Sequence, residues 1–354
     1  MDTALAGLAA RIREASERGT ALRLRGGGSK DFYGGTPRGE LLDTRAYAGI
    51  VAHEPTELVV TARCGTPLSE LESALAANGQ MLAFEPPHFG PGATVGGCVA
   101  AGLSGPRRAA AGALRDYVLG AKLVDGRGRV LRFGGTVMKN VAGYDVSRLL
   151  AGALGTLGLI AEISLKLFPR PGAELTLRLE MPEERALESL NRWAGQPLPI
   201  SASAWNDGDL GVRLSGADSA LRAAAERIGG ERVEGGEAER FWSGIREHTI
   251  GFFGGDAPLW RLAVRSSAAP IELPGERLIE WGGALRWVRT RADAAAVRAA
   301  AAAAGGHATL FRAADKSAGA FTPLDPVAMR LHRNLKAAFD PAGILNPGRM
   351  YPEF

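Results

Sequence analysis

Apolar residues recur at helical spacing at the start of the chain, where Leu5, Leu8 and Ile12 fall on one face of MDTALAGLAARIREASERG and predict an amphipathic helix. From there to about residue 170, short apolar runs alternate with glycine turns. ALRLR (21–25) reads as a strand leading straight into Gly26, Gly27 and Gly28, and Leu58–Thr61, short and β-branched, reads as another. Thr66 is expected to cap a helix, with Pro67 at its first position and Gly79 just past its end. Val118–Val124 and Arg129–Phe133 flank Asp125-Gly126-Arg127-Gly128, a hairpin signal. Gly158 to Phe168 reads as one more strand, stopped by Pro169 and Pro171.

After residue 172 the pattern changes. ELTLRLE, a helix through Leu187–Trp193, SASAW and DLGVRLS give strand, helix, strand, strand. WRLAVRS, ALRWVRT, an alanine-rich helix from Ala292 to Ala304 closed by Gly305-Gly306, and ATLFRA follow. Such repeated units predict an α+β sheet with helices on one face. The end is a helix followed by FDPAGILNPGRM, where Asp340-Pro341 and Asn346-Pro347-Gly348 are turn chemistry. The expected organisation is a first domain over 1–171, a second over 172–324 and a C-terminal segment over 325–354.

The length of 354 residues agrees with two domains of ordinary size. The net charge of +4 is too small and too scattered for a nucleic-acid footprint. Arg107-Arg108 is the nearest approach to a basic cluster. It is read as a solvated loop, with a subunit contact or a substrate carboxylate as the alternatives. Cys64 and Cys98 fit a reducing cytoplasm and are too few to hold an iron–sulfur cluster within this chain. Acids and arginines interrupt the N-terminal apolar residues, unlike a signal peptide, and no run of 18 apolar residues exists, so membrane association is expected only through a partner. The five histidines, His53, His88, His248, His307 and His332, include no two at ligand spacing, and no metal site is expected.

Three glycine segments carry candidate chemistry. In Arg25-Gly26-Gly27-Gly28-Ser29-Lys30 the missing Cβ atoms would let backbone N–H groups approach a diphosphate, with Ser29 adding a hydroxyl and Lys30 a charge; a plain glycine turn is an equally good reading. The spacing is neither a Walker loop nor a Rossmann fingerprint. In the second, Gly90 to Gly97, the set Gly92, Ala93, Thr94, Val95, Gly96 and Gly97 precedes a helix, and Thr94 supplies a side-chain donor. The third, Gly143-Tyr144-Asp145 followed by Gly155-Thr156-Leu157-Gly158-Leu159-Ile160, reads alone as a strand entered through a glycine turn.

Together, in this order and spacing, RGGGS, GATVGG, VLGAKLVDGRG, GYDVSRLLAGALGTLGLI and FDPAGILNPG resemble the flavin-binding fold of the vanillyl-alcohol-oxidase (PCMH) superfamily over residues 20–170 and 325–350. The resemblance implies an α+β fold: a two-lobed PCMH-type FAD-binding domain with a smaller, ferredoxin-like α+β cap. It also implies that the first two loops cradle the FAD diphosphate, that Gly155, Thr156, Gly158 and Ile160 lie along the rest of the cofactor, and that Asn346 returns with its turn to the flavin domain. RGGGSKDFYG, TELVVTARCGTPLSELE, GQMLAFEPPHFG, ATVGGCVAAGLSGPRR and FGGTVMKNVAGYDVSRLLAGALGTLG resemble, more narrowly, the FAD-binding E subunits of bacterial glycolate oxidase (glycolate dehydrogenase).

That likeness implies a cytoplasmic subunit of a complex that oxidises glycolate, a 2-hydroxy acid. Its partners would be a larger FAD-linked subunit and an iron–sulfur subunit feeding quinone, through which it could sit at the inner membrane. The alternatives are a non-catalytic flavin carrier and a free-standing 2-hydroxy-acid oxidase. FAD is expected to be non-covalent, because the first loop lacks histidine, Gly92 stands where covalent relatives carry cysteine, and Cys98 lies beyond the loop. The HxGDGNxH cluster of catalytic relatives has no counterpart; His248 and His307 alone fall in the second domain. Substrate oxidation is therefore expected largely on a partner, and no catalytic residue is assigned. His88, beside Pro86-Pro87, either lines the flavin face or packs its loop.

Overall fold

The computed structural model describes residues 2–136 and 144–354. Helix α1 (Thr3–Arg18) starts at Asp2, whose side chain accepts from Ala4 N, ends at left-handed Gly19, and buries Leu5, Ala9, Ile12 and Ala15. Strand β1 (Leu22–Arg25) runs parallel to β2 (Glu40–Asp43), making a small sheet with the glycine run at its end. The chain continues through β3 (Ile50–Glu54), β4 (Val59–Arg63), α2 (Leu68–Ala76), β5 (Gln80–Met81) and α3 (Val95–Ala101). Thr66 does not cap α2. Pro67 occupies that position without a side-chain cap, and the Thr66 hydroxyl instead ties down Gly49 through both its N (2.9 Å) and its O (3.1 Å).

Next come α4 (Arg108–Ala111), α5 (Leu114–Tyr117), β6 (Val118–Val124), β7 (Val130–Gly134), α6 (Val146–Leu149), β8 (Leu159–Lys166) and β9 (Phe168–Pro169). β6 and β7 form the expected hairpin, its turn held by Asp125, whose carboxylate accepts from the amides of Arg127 and Arg129. The five-stranded order is β3-β4-β8-β6-β7, with α2 and α3 burying Leu68, Leu71, Leu75, Cys98 and Val99 in its core.

The second unit holds β10 (Ala173–Glu180), α7 (Glu183–Ala194), β11 (Ile200–Asn206), β12 (Asp209–Gly216), α8 (Asp218–Ile228), β13 (Glu231–Val233) and α9 (Gly235–Glu247). It continues with β14 (Leu259–Ala263), β15 (Glu276–Glu280), β16 (Leu285–Arg289), α10 (Ala294–Ala303) and β17 (His307–Arg312). The resulting antiparallel sheet has eight strands in the order β13-β10-β12-β11-β15-β16-β14-β17. The ferredoxin-like arrangement thus occurs twice: β10 to β13 have the fourth-first-third-second order, and β14 to β17 repeat it with a loop in place of the first helix. The two halves join edge to edge through three residue pairs between β11 and β15. One face is covered by α7, α8 and α10; the other packs Trp287, Leu259 and Phe311 against Tyr33, Leu103 and Leu154 of the first unit.

Arg107-Arg108 is not a solvated loop. Arg107 is 7% exposed and pairs with Glu85 (3.3 Å) and Glu174 (2.5 Å), while Arg213 also reaches Glu85 (2.8 Å). Arg108 lies over the Trp281 ring at 4.4 Å. The pair faces the second unit: the Arg107 charge is spent on Glu85 and, across to that unit, on Glu174, and Arg108 adds its contact with Trp281. Helix α11 (Pro326–Phe339) and the turn after it return to the first unit. There Lys336 donates to Thr156 O (2.8 Å), Asp340 Oδ2 (2.7 Å) and Leu345 O (2.7 Å), all buried. Among the described residues, no helix is long and apolar enough to cross a membrane.

Candidate functional site

The first two glycine loops meet face to face at the end of β1. A Cβ on Gly27 would fall 1.4 Å from Gly92 O, and one on Gly26 would fall 2.2 Å from Thr94 Oγ1. Gly28 has φ +77, which a side chain would strain. These contacts leave glycine as the residue that fits, and they open a cleft lined by Arg25, Gly26, Gly27, Gly28, Ser29 and Lys30. Thr94, Gly96 and Gly97 at the start of α3 form the facing wall, together with Ala100 and Ala101. Thr94 caps α3 by accepting from Gly97 N (3.3 Å). Arg25 is held by Asp31 (2.7 Å), and Lys30 donates to His88 O (3.1 Å), with burial lowering its pKa.

Gly155, Gly158 and Ile160 close the side of the cleft, beside Asn346. Asn346 is a clasp: its Oδ1 accepts from Leu24 N (2.8 Å) and its Nδ2 donates to Leu154 O (2.6 Å). Gly92, Ala93, Val95 and Thr156 do not line the cleft. Ala93 and Val95 are core, Gly92 supplies the carbonyl against Gly27, and the Thr156 hydroxyl donates to Ala153 O (2.7 Å). Gly143 lies outside the described residues.

The sequence reading did not single out Arg349. It lines the cleft and donates to Lys30 O (3.0 Å), Asp31 O (3.0 Å) and Gly35 O, fixing the first loop from below. Only its place directly after the Asn346-Pro347-Gly348 turn hints at the role. Lys316, bound to Phe32 O (2.5 Å), Gly34 O (3.2 Å) and Phe311 O (3.1 Å), braces the same loop, and burial first of all pushes its pKa down to about 8.

The cleft offers about 850 Å³ counted to its open mouth, two crowded glycine loops and flanking cations. That combination suits a long, phosphate-bearing cofactor. Residues 4–134 match the FAD binding domain family, and residues 314–350 match the C-terminal domain of FAD linked oxidases. Glycolate oxidase subunit GlcE of Escherichia coli (strain K12) is 48% identical over 342 residues, covering 97% of this chain and 96% of that protein. The chain belongs to the GlcE family of glycolate oxidase subunits. A D-lactate dehydrogenase of Archaeoglobus fulgidus is 31% identical over 194 residues, 54% of this chain and 43% of that one. The fold of p-cresol methylhydroxylase superposes with a TM-score of 0.70 at 14% identity, covering 99% of this chain and 88% of that chain. This GlcE-family chain is therefore an FAD-dependent oxidoreductase with a PCMH-type fold, and the cleft is where the glycine loops would hold the diphosphate.

The GlcE-family chain's histidines do not assemble into a metal cluster; among the described residues no group of three ligands does. His88 packs its loop, with Nε2 2.9 Å from Glu72 and its amide donating to Glu247 (3.0 Å). His307 opens β17 and is exposed. His248 ends α9 in a left-handed conformation, stacked on Phe253 at 3.7 Å, and burial holds its pKa well below the usual imidazole value.

Glu280 is buried at the end of β15, accepting from Trp287 Nε1 (2.8 Å), and burial raises its pKa from 4.5 to about 7. The folded chain thus keeps a proton that the unfolded chain releases near 4.5. The associated stability is fully present below that pH and is lost as pH rises through about 7, by on the order of 3 kcal/mol. Glu280→Gln should unfold at a higher urea concentration than the parent at about pH 8 and at nearly the same one at about pH 4.5. Equal midpoints at the higher pH would show that the carboxylate ionises there without cost.

Proposed function

We propose that this chain is the FAD-binding subunit of a complex that oxidises glycolate to glyoxylate and delivers the electrons to an iron–sulfur subunit and quinone. The end-to-end likeness to a glycolate oxidase subunit carries this reading, and the two interlocked glycine loops supply its chemistry. FAD held in the cleft would supply two-electron, hydride-level redox chemistry, which is the cofactor's own property. The chain's residues would hold it: Gly26, Gly27 and Gly28 admit the diphosphate to the backbone, and Lys30 and Arg349 set the first loop. On this reading a larger FAD-linked subunit is a partner, and any contact with the membrane is made through the complex.

The test is anaerobic mixing of the FAD-loaded chain with glycolate or D-lactate. The lone chain should bleach at least about 100-fold more slowly than the assembled complex, the usual contribution of a placed general base. Equal bleaching by the lone chain would make it a self-sufficient catalyst.

FAD should also be held non-covalently. Cys98 is buried in α3, where burial pushes its thiol pKa up to about 12, so it is not a ready nucleophile. Acid precipitation should leave the flavin colour in the supernatant; a yellow pellet would contradict this.

A further inference from the structure

We propose that Glu247, carried by the second unit, is a positioning residue for the FAD cleft: by gripping the peptide between His88 and Phe89 it sets both Lys30 and the second glycine loop. The inference rests on the reading that the two glycine loops hold the diphosphate. It adds a residue that does not itself line the cleft.

Glu247 is the last residue of α9 and is half-buried. Its Oε2 accepts from Phe89 N (2.8 Å) and His88 N (3.0 Å), and Arg246 Nε donates to its other oxygen at 2.7 Å. The same peptide is held at its other end, where His88 O accepts from Lys30 Nζ (3.1 Å). The N–H of the 88–89 peptide therefore points at an anion and its C=O at a cation. Both bonds are charge-assisted, the stronger class of hydrogen bond, and the peptide dipole is aligned with the pair. Burial lowers the pKa of Lys30 and the Glu247 charge acts in the opposite sense, so the carboxylate helps to keep the ammonium charged. One acid from the second unit thus steadies the cation of the first glycine loop through a single shared peptide.

The segment needs such an anchor. Phe89 has φ +53 without being glycine, a conformation that persists only where its surroundings overdetermine it. Its ring packs edge-on against Phe32 at 5.5 Å and His248 at 4.9 Å. Glu72 fixes the His88 ring, yet among the described residues no group but Glu247 accepts from the amides of His88 and Phe89. From Phe89 the chain runs through the exposed Gly90, Pro91 and Gly92, whose carbonyl faces Gly27. Beyond them Ala93 O accepts from Leu68 N (2.9 Å). The exposed stretch that meets the first loop is strung between two anchors, and one of them belongs to the second unit.

The test is titration of the deflavinated full chain with FAD, followed by flavin fluorescence and visible absorption. Glu247→Ala should bind FAD at least about ten-fold more weakly, the measure of one charge-assisted hydrogen bond, while keeping the far-ultraviolet spectrum of the folded chain. Glu247→Gln keeps an oxygen that can accept from the two amides but loses the charge, and should recover part of the affinity. Trp281→Phe is the control. It removes the bond from Trp281 Nε1 to Gly105 O (3.0 Å) across the same two units, touches neither glycine loop, and should bind FAD as wild type does. Wild-type affinity in Glu247→Ala would overturn the proposal. So would an equal loss in Trp281→Phe, which would trace the effect to general loosening of the units. Should Glu247→Ala not fold, Glu247→Gln carries the test, with a loss of about three-fold expected and unchanged affinity overturning the role. Gly27→Val separates the two layers of the argument. A flavin-free Gly27→Val beside a Glu247→Ala chain of full affinity keeps the diphosphate loops and removes the Glu247 role, whereas full flavin in Gly27→Val removes the loops and the proposal with them.

Discussion

A Gly27→Val chain should emerge from purification without the flavin absorption band. Gly27 is not in the left-handed region, so the cause is not its own backbone. Its Cβ would sit 1.4 Å from Gly92 O, and a branched side chain would drive the two cofactor loops apart. Overpacking of that kind costs about 1–3 kcal/mol even where neighbours relax, and here the neighbour is backbone. Affinity for FAD should fall about 100-fold or more, since about 1.4 kcal/mol is each factor of ten. Circular dichroism serves as the control, the expected result being a folded spectrum without bound flavin. Full flavin content in folded Gly27→Val would refute the assignment of these loops to the diphosphate. Gly96→Val is the poorer probe: its Cβ would meet Cys64 Cβ at 2.6 Å, so it disturbs the strand-to-helix packing first.

Lys336→Met should be the most destabilising single change in the C-terminal segment. Lys336 is 5% exposed and makes three hydrogen bonds, and its anionic partner Asp340 is 1% exposed. Removing one member of a buried pair strands the other, at a cost of about 3–5 kcal/mol. The thermal midpoint of the apo chain should drop by on the order of 10 °C. Flavin affinity should weaken as well, because the same segment carries Asn346 and Arg349 to the cleft. The double variant Lys336→Met with Asp340→Leu should recover part of the loss, since the uncompensated carboxylate is gone. A single variant that melts with the parent would mean that the turn is held by its backbone alone.

Much of this architecture is written locally. Glycine runs after a strand, the hairpin turn at Asp125 and the amphipathic face of α1 each depend on neighbours in sequence, and each is legible without a fold. Helices α8 and α9 and strands β13 and β15 are not: α8 is alanine-rich, α9 opens with Gly235-Gly236, and β13 has three residues. Arg107 looks like a surface residue because its acids, Glu85 and Glu174, come from distant segments. The same holds for Arg261, His248 and Glu280, which lie on separate elements and come near one another only in the folded chain. Spacing reveals neighbours carried on one element; it is blind to those that three elements bring together.

The eight-stranded sheet has a seam. β10 and β12 share eight residue pairs, whereas β11 and β15, which join its two halves, share three: Ala204 with Glu280, Trp205 with Ile279 and Asn206 with Leu278. A sheet joined so briefly in its middle should open more readily there than between β10 and β12, which hydrogen exchange of the seam amides would show. Glu280 sits on that seam, so opening there would let water reach a carboxyl whose raised pKa comes from burial, and the proton it holds should leave more easily in the opened sheet.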